Sequence, residues 1–142
     1  MKSSKYVYEN RWIKVREDRF TQSGNDVLYS VIERDNSVVI IPISRDEKTL
    51  LLHQWRHPTQ ELSFELPMGG IDDGEAPIDA AKREMREETS IEADVLIDIG
   101  SFFPVPGLMA QKVHVFIAKV EDTALENARI DHSHCPVLNP GD

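Results

Sequence analysis

The sequence predicts an α/β domain in which a single amphipathic helix packs against several strands. A chain of 142 residues has the length of one domain with a core of ordinary size. Short apolar runs typical of strands recur along it, and one segment alone combines helical periodicity with a proline suited to a helix start. Neither repeats nor low-complexity segments interrupt the pattern. We therefore expect residues 1–142 to form one domain.

Four segments before residue 57 have the patterns of strands. "WIKVREDRF" and "DVLYSVIE" alternate apolar and polar residues as half-buried strands do, and the polar "TQSGND" at 21–26 predicts a turn between them. "SVVIIPIS" and "TLLLHQW" are nearly continuous apolar runs split by "RDEK". Runs of this kind are typical of central strands. We predict that these two are joined as a hairpin.

The helix and three further strands follow. "ELSFELP", "VLIDIGSFF" and "KVHVFIAKV" have strand patterns. The helix is expected from about Pro77 to Thr89, because proline's missing N–H costs nothing at a first helical position. After Val120 the sequence becomes polar, "EDTALENARIDHSHCPVLNPGD". It predicts a loosely structured tail at 121–142 with at most one short helical turn.

The predicted helix concentrates carboxylates on one face. In a helix, like charges three and four residues apart cost roughly 0.2–0.5 kcal/mol per pair, so something should offset the cost. A bound hard cation would do so, since Mg²⁺ prefers oxygen ligands. The alternative is a solvated acidic face in which Arg83 and Glu87 form an i,i+4 pair. The carboxylate face consists of Glu84, Glu87 and Glu88, and the adjacent apolar face of Ile78, Ala81 and Met85.

Composition excludes several classes of partner. With 25 acidic and 16 basic residues, net charge −9, the chain does not suit a nucleic acid backbone. No apolar run approaches the ~18 residues of a membrane span. The single cysteine, Cys135, and the lack of a signal-like apolar segment at the start fit a cytoplasmic location. A small anionic substrate would need cations to neutralise this charge.

The spacing around the helix adds a resemblance. "GGIDDGEAPIDAAKREMREETSI", residues 69–91, resembles the Nudix hydrolase signature G-x5-E-x7-R-E-U-x-E-E-x-G-U, in which U is a bulky aliphatic residue. Ser90 alone departs from it, at a position just past the helix end where the family has glycine. The resemblance implies an α/β/α sandwich with a mixed β-sheet and a loop-helix-loop catalytic motif.

Flanking segments resemble one branch of that family, the ADP-ribose pyrophosphatases and related nucleoside-diphosphate-sugar hydrolases. "QWR" at 54–56, "ELPMGG" at 65–70 and "FFPVPG" at 102–107 are similar to that branch's motifs, and the resemblance extends from about Trp12 to Val120. Each flank has a plainer explanation, since "QWR" could end a core strand and the prolines could break a loop.

The resemblance implies roles for particular residues. Glu84 and Glu88 would be the main ligands of Mg²⁺, for which Mn²⁺ could substitute. Glu87 would be a further ligand or would act on the side of the general base. Gln111 stands where the ADP-ribose enzymes carry a substrate-contacting glutamate. The other implied site residues are Met68 (carbonyl on the metal), Arg83 and Glu75 (paired, holding the loop on the helix), Arg56 (substrate phosphate or ribose), and Gly70, Val105, Pro106 and Gly107 (backbone of the substrate pocket).

The resemblance also implies the reaction and the assembly. The reaction is Mg²⁺-dependent hydrolysis of the pyrophosphate bond of ADP-ribose or a related nucleoside diphosphate sugar, releasing a nucleoside monophosphate and a sugar phosphate. The alternatives are a nucleoside triphosphate or dinucleoside polyphosphate substrate, or a non-catalytic sensor. A homodimer is expected, formed through strands at about 5–33. The general base would be Glu87 or one of the tail residues Glu121, Asp122, Glu126 and Asp131. The nucleobase of the substrate would stack on the aromatic ring of Trp12, Phe20 or Tyr29.

Overall fold

The computed structural model describes residues 2–93 and 95–128. Helix α1 spans Pro77–Thr89, as predicted, and α2 is one short helix at Asp122–Glu126 in the region predicted to hold at most one helical turn. The strands of these residues are β1 (Ser3–Glu9), β2 (Lys14–Gln22), β3 (Asn25–Glu33), β4 (Ser37–Ile43), β5 (Leu52–Arg56), β6 (Glu61–Glu65), β7 (Met68–Gly70), β8 (Val95–Phe102) and β9 (Val113–Lys119).

A four-stranded mixed sheet forms the centre of the fold. Its order is β7-β4-β9-β8, with β4 parallel to β9 and the other neighbours antiparallel. Alternate residues of β4 are buried beneath α1, as the two-residue period of a strand requires. The predicted mixed sheet is therefore confirmed. The core beneath α1 consists of Val38, Ile40, Ala80, Ala81, Met85, Ile91, Phe116, Ala118 and Val120.

A separate antiparallel sheet, β1-β2-β3, precedes the central one. The predicted turn between β2 and β3 is a two-residue turn at Ser23 and Gly24, both with positive φ. Turns of that kind match the twist of the strands that they join. The sheet is attached to the rest of the molecule through Ile32, whose N–H donates to the carbonyl of Leu108 and whose carbonyl accepts from the N–H of Ala110.

The predicted hairpin between "SVVIIPIS" and "TLLLHQW" is wrong. Both edges of β4 are occupied, by β7 and β9, while β5 starts only at Leu52 and pairs with β6. Leu52 and Gln54 of β5 are buried but His53 between them is exposed. That alternation is typical of a half-exposed strand, so the apolar run did not mark a central one. The three-residue strand β7 was not predicted, because it is too short to carry a pattern.

The sheet face opposite α1 is partly open in the described residues. A groove of about 670 Å³ lies there, lined in part by Ile43, Ile97, Ile117 and Ala124 of α2. A second helical layer, which the predicted sandwich would include, is not among the elements of residues 2–93 and 95–128. Within the same residues, no helix is long and apolar enough to cross a membrane.

Candidate active site

Helix α1 presents its carboxylates at the edge of the core. Ala80, Ala81 and Met85 are buried against the sheet, which fixes the rotation of the helix about its axis. The helix ends at Ser90, which adopts a left-handed conformation with φ 59° and donates its N–H to the carbonyl of Arg86 at 2.9 Å. Serine thus takes the conformation for which glycine is the usual choice.

Gly69 allows the loop before the helix to lie directly against Glu84. A Cβ built on Gly69 would overlap the carboxyl group of Glu84, whereas one built on Gly70 would meet open space. The Glu84 side chain is only 12% exposed. Burial raises its pKa, and the guanidinium of Arg83 opposes that rise. The absence of a side chain at Gly69 therefore creates the space that this carboxylate occupies.

Arg83 ties the loop to the helix. Its Nε and Nη2 donate to the two carboxylate oxygens of Glu75 at 3.0 and 2.9 Å, and Nη2 also donates to the Gly70 carbonyl at 2.8 Å. This bidentate pairing, with the backbone N–H of Asp72, lowers the pKa of Glu75 to about 2. Arg83 and Glu75 thus make the contact that the resemblance implied. Nη1 reaches Glu84 at 2.7 Å as well.

The other two glutamates of α1 differ in their surroundings. An Oε2 of Glu88 accepts the backbone N–H of Met68 at 2.9 Å, which connects the helix to β7. The Glu87 side chain is 53% exposed and accepts a longer bond from Arg83 Nη1, at 3.3 Å. Glu87 therefore keeps more solvent contact than Glu84, although the two are only three residues apart.

These glutamates line one cavity of about 490 Å³ with residues from three other parts of the fold. Arg56 enters from the end of β5, and Trp12 enters from the segment between β1 and β2. The ring of Trp12 is 66% exposed and stacks with the guanidinium of Arg11 at 4.3 Å. The complete lining is Trp12, Gln54, Arg56, Met68, Gly69, Arg83, Glu84, Glu87 and Glu88.

The loop predicted to line the substrate pocket is not part of the lining of the glutamate cavity. The segment from Val105 to Met109 forms a turn, in which Val105 accepts the N–H groups of Leu108 and Met109. The hydroxyl of Tyr29 donates to the Gly107 carbonyl, and Pro106 lines a separate apolar cavity of about 300 Å³ with Tyr29. The structure therefore brings Pro106 and Gly107 to Tyr29, and none of Val105, Pro106 and Gly107 is among the residues that line the cavity of the α1 glutamates.

Gln111 is also absent from the lining of the glutamate cavity. Its side chain is buried, and Nε2 donates to the carbonyl of Asp35 at 3.0 Å and to the hydroxyl of Ser37 at 3.3 Å. The amide therefore braces the connection between β3 and β4. The structure thus places the Gln111 amide against Asp35 and Ser37, and its contact with a substrate stays a prediction.

The tail candidates for the general base do not lie on this cavity in the described residues. Glu121 is exposed and pairs with Arg45 at 2.8 Å, and Asp122 accepts the N–H of Asp46. Glu126 is the exposed last residue of α2, and Asp131 lies outside the described residues. Of the residues predicted for this role, Glu87 is the one that lines the cavity.

Two polar residues on the inner face of the β5–β6 hairpin were not predicted as site residues. Gln54 is buried and lines the cavity, and Glu65 is bonded to Arg56 through both carboxylate oxygens. The signal that could have found them is the two-residue period of a strand. Gln54 stands two positions before Arg56, so the two side chains share one face of β5.

The donor chemistry of the cavity fits a hard divalent cation. Its oxygen donors are carboxylates on a rigid helix, and Gly69 leaves room for one of them. Among the described residues, no three His, Cys, Asp or Glu side chains are already gathered around one point. Glu84 accepts a hydrogen bond from Arg83 and Glu88 accepts one from the N–H of Met68.

Comparison with known proteins identifies the family of this site. A family model described as the NUDIX domain matches residues 33–137. The chain belongs to the Nudix hydrolase family. A second model, described as the nucleoside diphosphate sugar hydrolase N-terminal domain, matches residues 2–22 of this Nudix chain. The family resemblance inferred from residues 69–91 is thereby confirmed.

Individual relatives agree with this placement. This Nudix chain is 31% identical to the ADP-ribose pyrophosphatase of Bacillus subtilis (strain 168), over 80% of the chain and 60% of that protein. It is 26% identical to the ADP-sugar pyrophosphatase of Mus musculus, over 99% of the chain and 67% of that protein. It thus spans about three fifths of the B. subtilis protein. A solved ADP compounds hydrolase matches with a TM-score of 0.73 at 20% identity, over 92% of the chain and 68% of that structure, which confirms the fold.

Proposed function

We propose that this Nudix chain catalyses the Mg²⁺-dependent hydrolysis of the pyrophosphate bond of ADP-ribose or a related nucleoside diphosphate sugar. The products are a nucleoside monophosphate and a sugar phosphate. One observation supports this above all others: the three glutamates of α1 share a cavity with Arg56 and Trp12. Carboxylates for a cation, a guanidinium for phosphate and an indole for a base are the groups that such a substrate needs.

Each residue of the site would have a separate role in this reaction. Glu84, Glu88 and the carbonyl of Met68 would hold Mg²⁺, which when bound neutralises pyrophosphate oxygens and acidifies a water. Glu87 retains solvent contact and would accept a proton from the attacking water. Arg56 would bind a phosphate or ribose oxygen. Arg83 and Glu75 hold the loop on the helix and keep Gly69 against Glu84.

The homodimer is part of the same proposal. Every residue of β1 is exposed, including Tyr6 and Tyr8, and such a surface on a small sheet suits a second copy. Residues 2–22, which match the nucleoside diphosphate sugar hydrolase N-terminal domain, include this strand. Light scattering at micromolar concentration tests it, and a monomer there would count against the dimer.

A substrate panel tests the reaction. We would incubate the chain with Mg²⁺ and ADP-ribose, ADP-hexoses, UDP-hexoses, nucleoside triphosphates or dinucleoside polyphosphates, and identify the products. Selective release of a nucleoside monophosphate and a sugar phosphate supports the proposal. Release of inorganic phosphate or pyrophosphate from triphosphates would favour a nucleoside triphosphate as the substrate. Binding without turnover in the presence of Mg²⁺ or Mn²⁺ would favour a sensor.

A further inference from the structure

The β5–β6 hairpin contains an ion pair that no part of the proposed reaction has used. Arg56 Nε donates to Glu65 at 2.7 Å, and one Nη of Arg56 donates to the second carboxylate oxygen. The Glu65 side chain is 15% exposed and that of Arg56 40% exposed. A bidentate pair of this kind fixes the plane of the guanidinium as well as its position.

The hairpin register explains why Glu65 is placed to do this. β5 and β6 are antiparallel, with Leu52 opposite Glu65 and Arg56 opposite Glu61. The Arg56 side chain therefore reaches back along the inner face of the hairpin to meet Glu65, which is four residues along β6 from the residue directly opposite Arg56. This course directs the guanidinium toward the end of the hairpin that leads into β7 and the α1 glutamates.

We propose that Glu65 is a positioning residue, which holds the Arg56 guanidinium in the orientation that binds a substrate phosphate. The inference rests on the proposed function. It does not require Glu65 to touch the substrate. A flexible arginine would lose rotamer freedom each time it bound a phosphate, and pre-ordering by Glu65 removes that cost from the binding step.

The inference is testable because positioning and electrostatics predict opposite changes in phosphate binding when Glu65 is neutralised. Glu65 adds a negative charge close to a site for an anion, so its neutralisation should by itself tighten phosphate binding. The Arg56 guanidinium lowers the pKa of Glu65, so the carboxylate is charged at neutral pH. If Glu65→Gln weakens binding instead, the loss of the Arg56 orientation has outweighed the benefit of removing a negative charge.

The experiment measures equilibrium binding and turnover together. A methylene-bridged analogue of ADP-ribose, which cannot be hydrolysed, is titrated calorimetrically with Mg²⁺ into the wild type, Glu65→Gln, Arg56→Gln and the double variant. We expect Glu65→Gln to raise Kd and KM about tenfold while kcat changes less than about twofold. The double variant should bind no more weakly than Arg56→Gln alone, because Glu65 acts through Arg56.

Glu61→Gln is the matched control, since it removes the same charge from the same strand directly opposite Arg56. Its Kd should stay within about twofold of the wild type. Unchanged or tighter binding by Glu65→Gln would overturn the positioning role, and so would an equal loss in the Arg56→Gln background. If Glu65→Gln does not fold, Glu65→Asp keeps the charge on a shorter arm, and binding as tight as the wild type would then overturn the role.

The two proposals fail in different ways. A wild type that hydrolyses nucleotide sugars while Glu65→Gln binds normally leaves the proposed function intact and removes the role of Glu65. A wild type that neither binds the analogue nor hydrolyses any of the panel substrates removes the proposed function and the role of Glu65 with it.

Discussion

Helix α1 and the N-terminal sheet β1-β2-β3 use exposed and buried surface in opposite ways. α1 buries Ala80, Ala81 and Met85 completely and keeps its glutamates at the margin of the core. In β1 every residue is exposed, and Trp12 after it is 66% exposed. A helix packed on the core can hold its charged groups within a fraction of an ångström of their positions. Exposed aromatic rings instead offer surface for contact with another molecule. The contrast fits the proposed function, in which α1 would hold the cation and the N-terminal sheet would contact the base of the substrate.

The largest expected effect removes charge from α1. Glu84→Gln and Glu88→Gln should each lower kcat by about 10²-fold or more, because each removes a proposed cation ligand and almost no volume. Steady-state kinetics with ADP-ribose and Mg²⁺ measures this. Glu92→Gln, an exposed glutamate just beyond the helix, should change kcat less than about twofold. The melting temperature of Glu84→Gln without metal should not fall, because burial already disfavours the charged form. Full activity in either glutamine variant would refute the ligand assignment.

The second prediction displaces Glu84 without altering it. Gly69→Ala puts a methyl group where the Glu84 carboxyl group lies, so kcat/KM should fall by up to about 10²-fold, as misplacement of a catalytic group by about 1 Å can do. Gly70→Ala, whose Cβ meets open space, should cause a smaller loss. Equal losses in the two variants would show that loop flexibility, rather than room for Glu84, explains the effect.

The third prediction concerns the junction between the two regions. Gln111→Glu loses a donor to the Asp35 carbonyl and places a carboxylate against it, so the free energy of unfolding should fall by about 1–3 kcal/mol. Urea unfolding measures this, with exposed Gln22→Glu as the control. If residue 111 contacted the substrate, as its position in the resembled enzymes implies, this change would shift specificity toward ADP-ribose over hexose substrates. In the structure Gln111 is a framework residue, and we expect the ratio of kcat/KM values to stay the same.

The fourth prediction tests recognition by the N-terminal sheet. Trp12→Ala should raise KM for ADP-ribose about tenfold with little change in kcat, since stacking on a base contributes ~1–3 kcal/mol. Phe64 on β6 is exposed to a similar extent, 69% against 66%. Phe64→Ala should therefore leave KM unchanged. A normal KM for Trp12→Ala would assign base recognition to another group, such as Tyr29 beside the turn at 105–109.

The smallest expected effect is at the end of α1. Ser90→Gly relieves a non-glycine residue at φ 59° and should raise the free energy of unfolding by about 0.5–1 kcal/mol. Ser101→Gly, in an exposed part of β8, should lower it because glycine gains freedom in the unfolded chain and relieves nothing. Thermal unfolding of the two variants with the wild type measures both effects. A destabilised Ser90→Gly would show that the serine side chain has a structural role there.

The sequence predicted features whose signal is local. The bounds of α1, the turn at Ser23 and Gly24, and the strand pattern of β2, β3 and β9 all depend on residues within a few positions of one another. The pairing of Arg83 with Glu75 was also predicted, because the resemblance carried their spacing in the chain. Pairing between strands was harder. The apolar run of β5 allowed a hairpin with β4, and only the occupation of both β4 edges excluded it.

The sequence by itself therefore determined the family, the helix and the identity of the carboxylates proposed as cation ligands, because these lie in one continuous segment. The resemblance implied roles for Arg56 and Trp12, but only the tertiary structure decided that they line one cavity with the glutamates of that helix. Trp12, Gln54 and Arg56 reach this cavity from segments distant in the chain, and Gln111 donates to the carbonyl of Asp35, a contact that no local pattern encodes. The physical reason is that hydrogen bonding and burial at these positions depend on groups up to 76 residues away.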